Sequence, residues 1–414
     1  MTDERLLAGW RHTGRPADLR QHHARYGNLP RIGRAELIDL VEKAGLRGRG
    51  GAWFPTGRKL RTVAQARRRP IVLANACEGE PASEKDHALL TIAPHLVLDG
   101  IALAAHAVRA EETIICLHTG DPVVAGLRAA IAERADPLPP RVVEVPPRYV
   151  ASEESALINY VNVGDPRPTS KPPRPFERGV RGRPTLIDNA ETLAQLALLA
   201  RGGANWYRSA GTRDAPGTTL VTVSGAVGEP GVREVPLGTP LGQIVRLAGG
   251  ETQPWSAVLA GGYGGSWLPW PRAAGLRLTP EDFRAAGARL GVPILVALPA
   301  RACGLAETAR VLRYLAGESA NQCGPCMFGL PAIAADFEEL VTGVGGHAMN
   351  RLRRRLPVIA GRGACAHPDG AVNLAVSALR TFGADVAAHQ SGRPCRWAGV
   401  DRWLPSHGVL EEVR

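Results

Sequence analysis

The sequence predicts an α/β protein with a parallel-sheet domain first, a small β-rich domain second and a helical bundle last. Three observations predict it. Between residues 71 and 145, short apolar runs alternate with helical patterns, the signature of a parallel sheet with crossover helices. Glycines then crowd short β runs between 220 and 265. From Ala302 to Arg380 apolar residues recur at helical spacing, as in Leu305, Ala309, Leu312 and Leu315.

Residues 1–30 read as a polar, irregular tail or arm. Arg34–Ala44 places Leu37, Ile38, Val41 and Ala44 on one helical stripe. Ile71–Ala76, Thr113–Leu117 and Val142–Val145 read as buried strands, and His95–Arg109 and Val123–Arg134 as the helices between them. Gly164–Thr185 is a long Pro- and Arg-rich segment of the kind that is usually functional. A capping-box-like start at Asp188–Glu191 opens a helix through Leu199, and Gly202–Gly217 reads as a boundary. Ile294–Leu298 is another buried strand. The expected domains are 31–215, 216–290 and 291–405, with 406–414 as a tail.

Composition excludes several functions. No apolar run approaches the ~20 residues of a membrane span; the best, Leu96–Val108, carries Asp99 and His106. The start, Met-Thr-Asp-Glu-Arg, lacks the basic-then-apolar pattern of an export signal. Seven cysteines with one close pair fit a cytoplasmic protein with a metal or redox role. The 414 residues carry a formal charge of +11. Lysine occurs only at 43, 59, 85 and 171, so arginine supplies nearly all of the basic charge. Arg67–Arg69 and Arg351–Arg355 lack interleaved aromatics and match no nucleic-acid motif. The charge instead suits an acidic protein partner.

Residues 45–60 combine glycine, cations and aromatic rings. Gly48, Gly50 and Gly51 let a ligand approach the main chain, and Arg47, Arg49, Arg58 and Lys59 suit a phosphate. Trp53 and Phe54 offer flat faces to a planar ring. The loop ends without Gly-Lys-Ser/Thr, so it is no P-loop, and Trp53 breaks the dinucleotide fingerprint. It also precedes its strand, unlike an ordinary Rossmann order. Two acidic pairs follow: Glu78 and Glu80 after the first strand, and Glu153 and Glu154 after Tyr149. Such acids suit ribose hydroxyls, ring nitrogens or merely a helix start. Cys323-Gly-Pro-Cys326 with Cys365 suits an iron–sulfur cluster, zinc or a redox dithiol. Cys77, Cys116 and Cys303 read as small core residues, and Cys395 as either.

Together these motifs resemble the flavin-bearing, NADH-oxidising F-type subunit of respiratory complex I and its relatives in soluble hydrogenases and formate dehydrogenases. The family loop Gly-Leu-Arg-Gly-Arg-Gly-Gly-Ala-Gly-Phe-Pro-Thr-Gly-x-Lys is similar to residues 45–59. Asn75–Pro81, Tyr149–Leu157, Lys171–Pro173, Asp188–Leu193, Glu318–Cys326, Cys365 and the His389–Cys395 ending match further family motifs in order. The resemblance spans about 30–400. It implies a Rossmann-like FMN-binding domain, a ubiquitin-like β-grasp domain of the soluble-ligand-binding type and an iron–sulfur helical bundle. By resemblance, Gly48, Arg49, Gly50, Gly51 and Lys59 hold FMN. Asn75, Glu78, Glu153, Asp188, Asn189 and Thr192 line the flavin, while Phe54, Glu80, Tyr149, Glu154 and Lys171 lie toward NAD(H). Cys323, Cys326 and Cys365 hold a 4Fe-4S or 3Fe-4S cluster. Electrons would pass from NADH through FMN to the cluster, then to an acidic carrier such as a ferredoxin or to other subunits.

The departures imply two alternatives. Trp53 replaces a family glycine where the nicotinamide approaches, and Arg174 a stacking phenylalanine, which favours a non-NADH electron source. Ala320 replaces the first cluster cysteine, which favours a non-catalytic, metal-binding assembly role. Cys77, Ser152 and Asp188 replace an aspartate, a glycine and an asparagine.

Overall fold

The computed structural model of the chain describes residues 4–8, 15–343, 347–399 and 402–405. The proposed tail at 406–414 and parts of 1–30 lie outside them. The chain divides into two compact units. The first is drawn from Met1–Gly79, Glu84–Leu220 and Glu234–Thr239, and the second from Glu80–Ser83, Val221–Arg233 and Pro240–Arg414.

The first unit is built on four parallel strands in the order β3-β2-β1-β4: β1 (Ile71–Asn75), β2 (Glu112–His118), β3 (Arg141–Val145) and β4 (Thr185–Asn189). From β1 the chain moves outward through β2 to β3, then returns to lay β4 on the other side of β1. Asn75 and Asn189 end these two strands as register partners. This is a topological switch point, where open α/β sheets bind ligands beyond their carboxyl ends. β4 is hidden in the Pro- and Arg-rich segment, where no apolar alternation announces it.

The helices of this unit are α1 (Leu19–Tyr26), α2 (Arg34–Ala44), α3 (Thr56–Ala64), α4 (Lys85–Ile92), α5 (Pro94–Val108), α6 (Val123–Ala132), α7 (Glu154–Val163) and α8 (Ala190–Arg208). α5 and α8 pack backbone to backbone, because a Cβ on Gly100 would stand 2.0 Å from the Leu193 carbonyl oxygen. α8 runs beyond the expected Leu199. It bends at Gly203 (φ 77°, ψ 170°) and continues to Arg208, so 202–208 is helix and not boundary. No single helix among the described residues is long and apolar enough to cross a membrane; α4 and α5 together are, but they meet at 98°.

The amino-terminal stretch is not irregular throughout. α1 is closed by an Asp18–Gln21 capping box. His22 on α1 meets buried Asp99 at 2.7 Å, and Arg134 and Arg201 hold the other approaches to that carboxylate. Leu6 and Leu7 are fully buried, and the Arg5, Leu6 and Leu7 amides all donate to Glu234 Oε2 at 2.8–3.1 Å.

The second unit carries most of a five-stranded sheet in the order β6-β5-β9-β7-β8: β5 (Thr218–Gly225), β6 (Gly231–Pro236), β7 (Trp255–Ala260), β8 (Ser266–Pro269) and β9 (Ile294–Pro299). β9 pairs parallel with β5 and antiparallel with β7, so the sheet extends past the expected boundary near 290. Two short helices, α9 (Leu241–Leu247) and α10 (Pro280–Ala285), accompany it. The helical end comprises α11 (Gly304–Gly317), α12 (Leu330–Thr342), α13 (Ala348–Ile359), α14 (His367–Thr381) and α15 (Gly383–Gln390), with a π turn at Pro325–Gly329.

Burial lifts the Glu234 carboxyl to about 7, against the opposing hydrogen bonds from Thr218 and the amides of residues 5–7. The folded chain therefore binds this proton more tightly than the unfolded chain between pH 4.5 and about 7. Stability contributed by Glu234 is present below pH 4.5 and is lost as pH rises to about 7. Urea midpoints of the wild type should show this fall, and Glu234→Gln should flatten it. Parallel pH profiles would place the titration elsewhere.

Candidate functional site

The glycine loop joins α2 to α3. Gly45 caps α2 in the left-handed conformation (φ 73°), and the loop closes on itself through Gly48 N–H to Phe54 O and Thr56 N–H to Leu46 O, both 2.9 Å. Arg49 N–H donates to Thr192 Oγ1 at 2.8 Å, so the first turn of α8 braces the loop. Gly50 and Gly51 donate their amides to no protein acceptor among the described residues. A Cβ on Gly48 would meet nothing nearer than 3.7 Å, and one on Gly50 only Asn189 Cβ at 3.4 Å. Packing does not demand glycine at either place. Open amides before unfilled space fit a phosphate-bearing ligand.

Arg49 is a correction. Its side chain is fully buried, and the guanidinium donates to Thr218 O, Arg47 O and Tyr207 Oη at 2.8–3.3 Å, with Glu191 at 3.7 Å. It anchors the loop from behind, and its own N–H is spent on Thr192. Trp53 is a second correction. The indole is 7 % exposed and lies near the Arg49 guanidinium, 5.2 Å from ring centroid to Cζ. Its bulk is spent inside the loop. Trp53 also has φ 55°, the left-handed region that costs a non-glycine residue about 1–2 kcal/mol, which explains the family's glycine there. Phe54 is the exposed ring, at 43 %, with Arg58 beside it.

Beneath the loop lies a buried ionic group that sequence reasoning missed. Lys85 Nζ reaches Asp86 at 2.7 Å, Asn189 Oδ1 at 2.9 Å and Glu191 at 3.3 Å. Glu191 Oε1 accepts from Thr219 Oγ1 and Leu220 N–H. Burial favours neutral Lys85, but the charges of Asp86, Glu191 and Glu78 outweigh it and raise its pKa. Burial raises Glu191, and Lys85 and Arg49 oppose that rise. Glu191 sits inside the quoted Asp188–Leu193 motif, and Lys85 follows the acidic turn, so the signal was there: charges in otherwise buried sequence.

Other predicted residues gather at the same strand ends. Asn189 caps α8, accepts from Lys85 and donates to Asp86 at 2.6 Å and Asn75 O at 3.2 Å. Asn75 donates to Ser152 O at 2.9 Å, linking β1 to the short 3-10 turn Tyr149–Ser152. Lys59 Nζ contacts Ile187 O at 2.6 Å and Asp188 at 3.0 Å. Burial raises the Asp188 carboxyl, Lys59 opposes this, and Glu154 adds to it. Glu78 Oε2 accepts from the Asp86 and His87 amides at the start of α4. Glu153 caps α7, and Lys171 bridges Glu153 at 2.8 Å and Glu154 at 2.6 Å. Glu80 stands apart: it falls in the second unit, where its Oε2 accepts from Tyr263 N–H at 3.0 Å. Cys77 and Cys116 belong to the apolar core behind β1, as read.

In the second unit, burial pushes the Cys326 thiol up to about 12, Cys323 and Cys365 add to this, and a hydrogen bond from the Ala320 main chain opposes it. Burial also disfavours ionised Cys323, yet main-chain hydrogen bonds from Ala364 and Cys326 hold its thiol below the usual range. The three thiols therefore act on one another, and the main chain of Ala320 reaches Cys326. Thiols that receive main-chain hydrogen bonds fit an iron–sulfur cluster. Cys303 is not a mere core residue, because it lies with His389 and Cys395.

Comparison with known proteins matches residues 41–198 to the Nuo51 FMN-binding domain, 220–264 to the SLBB domain and 306–389 to the NADH-ubiquinone oxidoreductase-F iron-sulfur binding region. The NADH-quinone oxidoreductase F subunit of Mycobacterium tuberculosis is 31 % identical over 94 % of both chains. Its Escherichia coli counterpart is 32 % identical over 84 % of this chain and 82 % of its own. A chain of an NAD+-reducing [NiFe]-hydrogenase in the H2-reduced state superposes with a TM-score of 0.82 at 30 % identity, covering 99 % of this chain and 70 % of that one. In the air-oxidized state the score is 0.79 at 32 % identity, and the match spans 87 % of this chain and 63 % of the hydrogenase chain.

Removing the Arg49 guanidinium leaves three acceptors unpaired in a dry interior and takes from Glu191 one of its two cations. Arg49→Ala should lower unfolding stability by about 3–5 kcal/mol, and Arg49→Lys should recover little of it, since one ammonium cannot replace the fork. Urea denaturation checks this. Unchanged stability with lost flavin would put the guanidinium on the cofactor.

Proposed function

The chain belongs to the family of NADH-quinone oxidoreductase F subunits, and from that premise we propose that it is an FMN-dependent, NADH dehydrogenase-type oxidoreductase. The observation that carries the reading is the glycine loop, in which the Gly50 and Gly51 amides bond no acceptor among the described residues and a Cβ on Gly50 would meet only Asn189, the residue that ends β4 beside β1. When bound there, FMN supplies hydride acceptance from NADH and release of single electrons, which an iron–sulfur centre can carry.

The residues present fit both groups. Gly50 and Gly51 offer main-chain amides to the phosphate, Gly48 shapes the loop through its bond to Phe54 O, and Lys59 offers charge. Asn75, Glu78, Glu153, Asp188 and Asn189 border the flavin, while Thr192 supports the loop through its hydroxyl. Phe54, Tyr149, Glu154 and Lys171 serve the nicotinamide nucleotide. Lys171 holds Glu153 and Glu154 together, which fixes both carboxylates without burying them fully. Cys323, Cys326 and Cys365 hold the iron–sulfur centre, and its fourth corner takes a ligand other than cysteine, because Ala320 has no donor.

NADH is the fitting donor, since the buried Trp53 obstructs nothing outside the loop. The quinone-oxidoreductase and hydrogenase relatives are parts of larger assemblies, and this chain is read as one too. An acidic electron carrier, such as a ferredoxin or a partner subunit, complements the charge of +11. Seven free cysteines suit the reducing conditions of a cytoplasm.

Three measurements test this function. Anaerobic NADH should bleach the flavin band of FMN-loaded protein; a flavin that binds and stays oxidised would overturn the donor. Asp188→Asn should tighten FMN binding about tenfold, or ~1.4 kcal/mol, because Lys59 is freed from a carboxylate that competes with phosphate. Fluorescence titration reads that change, and weaker binding would make Asp188 a ligand. Ala320→Cys should raise iron content and slow cluster loss in air, with FMN content unchanged; no gain in iron would place the fourth corner elsewhere.

A further inference from the structure

A second group of metal donors lies in the helical end, apart from the Cys323 set. Cys303 Sγ, His389 Nε2 and Cys395 Sγ all lie within 4.8 Å of one another. Cys303 is 3 % exposed and His389 fully buried, while Cys395 is half-buried. The donors come from separate places in the chain. Cys303 caps α11, where its sulfur accepts from Ala306 N–H at 3.4 Å. His389 closes α15. Cys395 is brought back by the turn that ends α15, in which Gly392 N–H bonds to His389 O and Arg393 N–H to Ala388 O.

The histidine is set as a ligand would be. Its Nδ1 is 2.9 Å from Val341 O at the end of α12, so Nδ1 carries the proton and Nε2 presents its lone pair. That lone pair faces Cys303 Sγ at 4.0 Å and accepts the Cys395 N–H at 3.1 Å, a hydrogen bond that a metal at Nε2 would replace. A core packed for its own sake gains little from two thiols and an imidazole lone pair turned on one point. Two thiolates and a neutral imidazole carry a charge of −2, which a divalent cation cancels. Soft sulfur with one nitrogen selects zinc among common divalent ions.

We propose that Cys303, His389 and Cys395 bind a structural zinc ion that pins the chain after α15 to the start of α11. The fourth position is taken by water, which the half-buried Cys395 side admits. Binding releases the two thiol protons and involves no electron transfer. This inference stands whether or not flavin and cluster are loaded.

The test is metal analysis of the full chain purified under reducing conditions from zinc-supplemented cells. The wild type and Cys323→Ser should each hold about one zinc per chain. Cys303→Ser and Cys395→Ser should lose it while keeping iron and FMN. Zinc retained at the wild-type level in both variants overturns the site. So does a zinc-free wild type whose mass, two hydrogens short, shows a Cys303–Cys395 disulfide. Should the variants fail to fold, zinc X-ray absorption on the wild type decides. Two sulfurs at about 2.3 Å with nitrogen or oxygen completing the shell support the site. Three or four sulfurs assign the metal to the Cys323 set and overturn it.

Discussion

The first unit depends on a buried balance of charge. Arg49, Lys85, Asp86 and Glu191 place two cations and two anions almost wholly out of water. Such ions are costly to desolvate, and the cost is recovered only when every charge is matched and hydrogen-bonded. Here each charge faces an opposite one: Arg49 is bound by three acceptors, Lys85 by Asp86 and Asn189, and Glu191 Oε1 by Thr219 and Leu220, while Glu191 Oε2 has the ion pair with Lys85 but no hydrogen bond. The group joins the glycine loop, the start of α4, the end of β4 and the head of α8. None of these can shift without exposing an unpaired charge. The loop owes its shape to what lies behind it.

This arrangement sorts the loop's residues by direction. Arg49 and Trp53 turn inward, and the amides of Gly50 and Gly51 bond no acceptor among the described residues. A loop that reads as rich in cations therefore presents chiefly main chain, with Lys59 as the cation at its far end. Even Lys59 is shared with Asp188. The left-handed φ at Trp53 is tolerated because the indole is buried beside Arg49, so the site keeps the family's backbone with an unfamiliar side chain.

Much of the fold was legible because apolar periodicity follows local geometry. α2 at Arg34–Ala44 and β1, starting at Ile71, fall where the pattern puts them. β4 was not legible, since its five residues follow a proline-rich stretch and include Asp188 and Asn189. The bend at Gly203 was mistaken for an end, because a glycine pair weakens a helix without saying whether the chain resumes. At the site, ordered motifs identified the residues and not their directions. The inward turn of Arg49 depends on Tyr207 and Thr218, more than 150 residues away. The same holds for Cys303, whose partners lie 86 residues on and beyond.

The central claim is that the space before the loop belongs to a cofactor and not to the protein. Gly50→Ala tests it most directly, because its Cβ would meet only Asn189 Cβ at 3.4 Å and the backbone there needs no positive φ. FMN affinity and urea stability would be measured on the same preparation. The account predicts at least about a tenfold loss of FMN affinity, with stability changed by less than about 1 kcal/mol. Unaltered FMN binding at unaltered stability would contradict it.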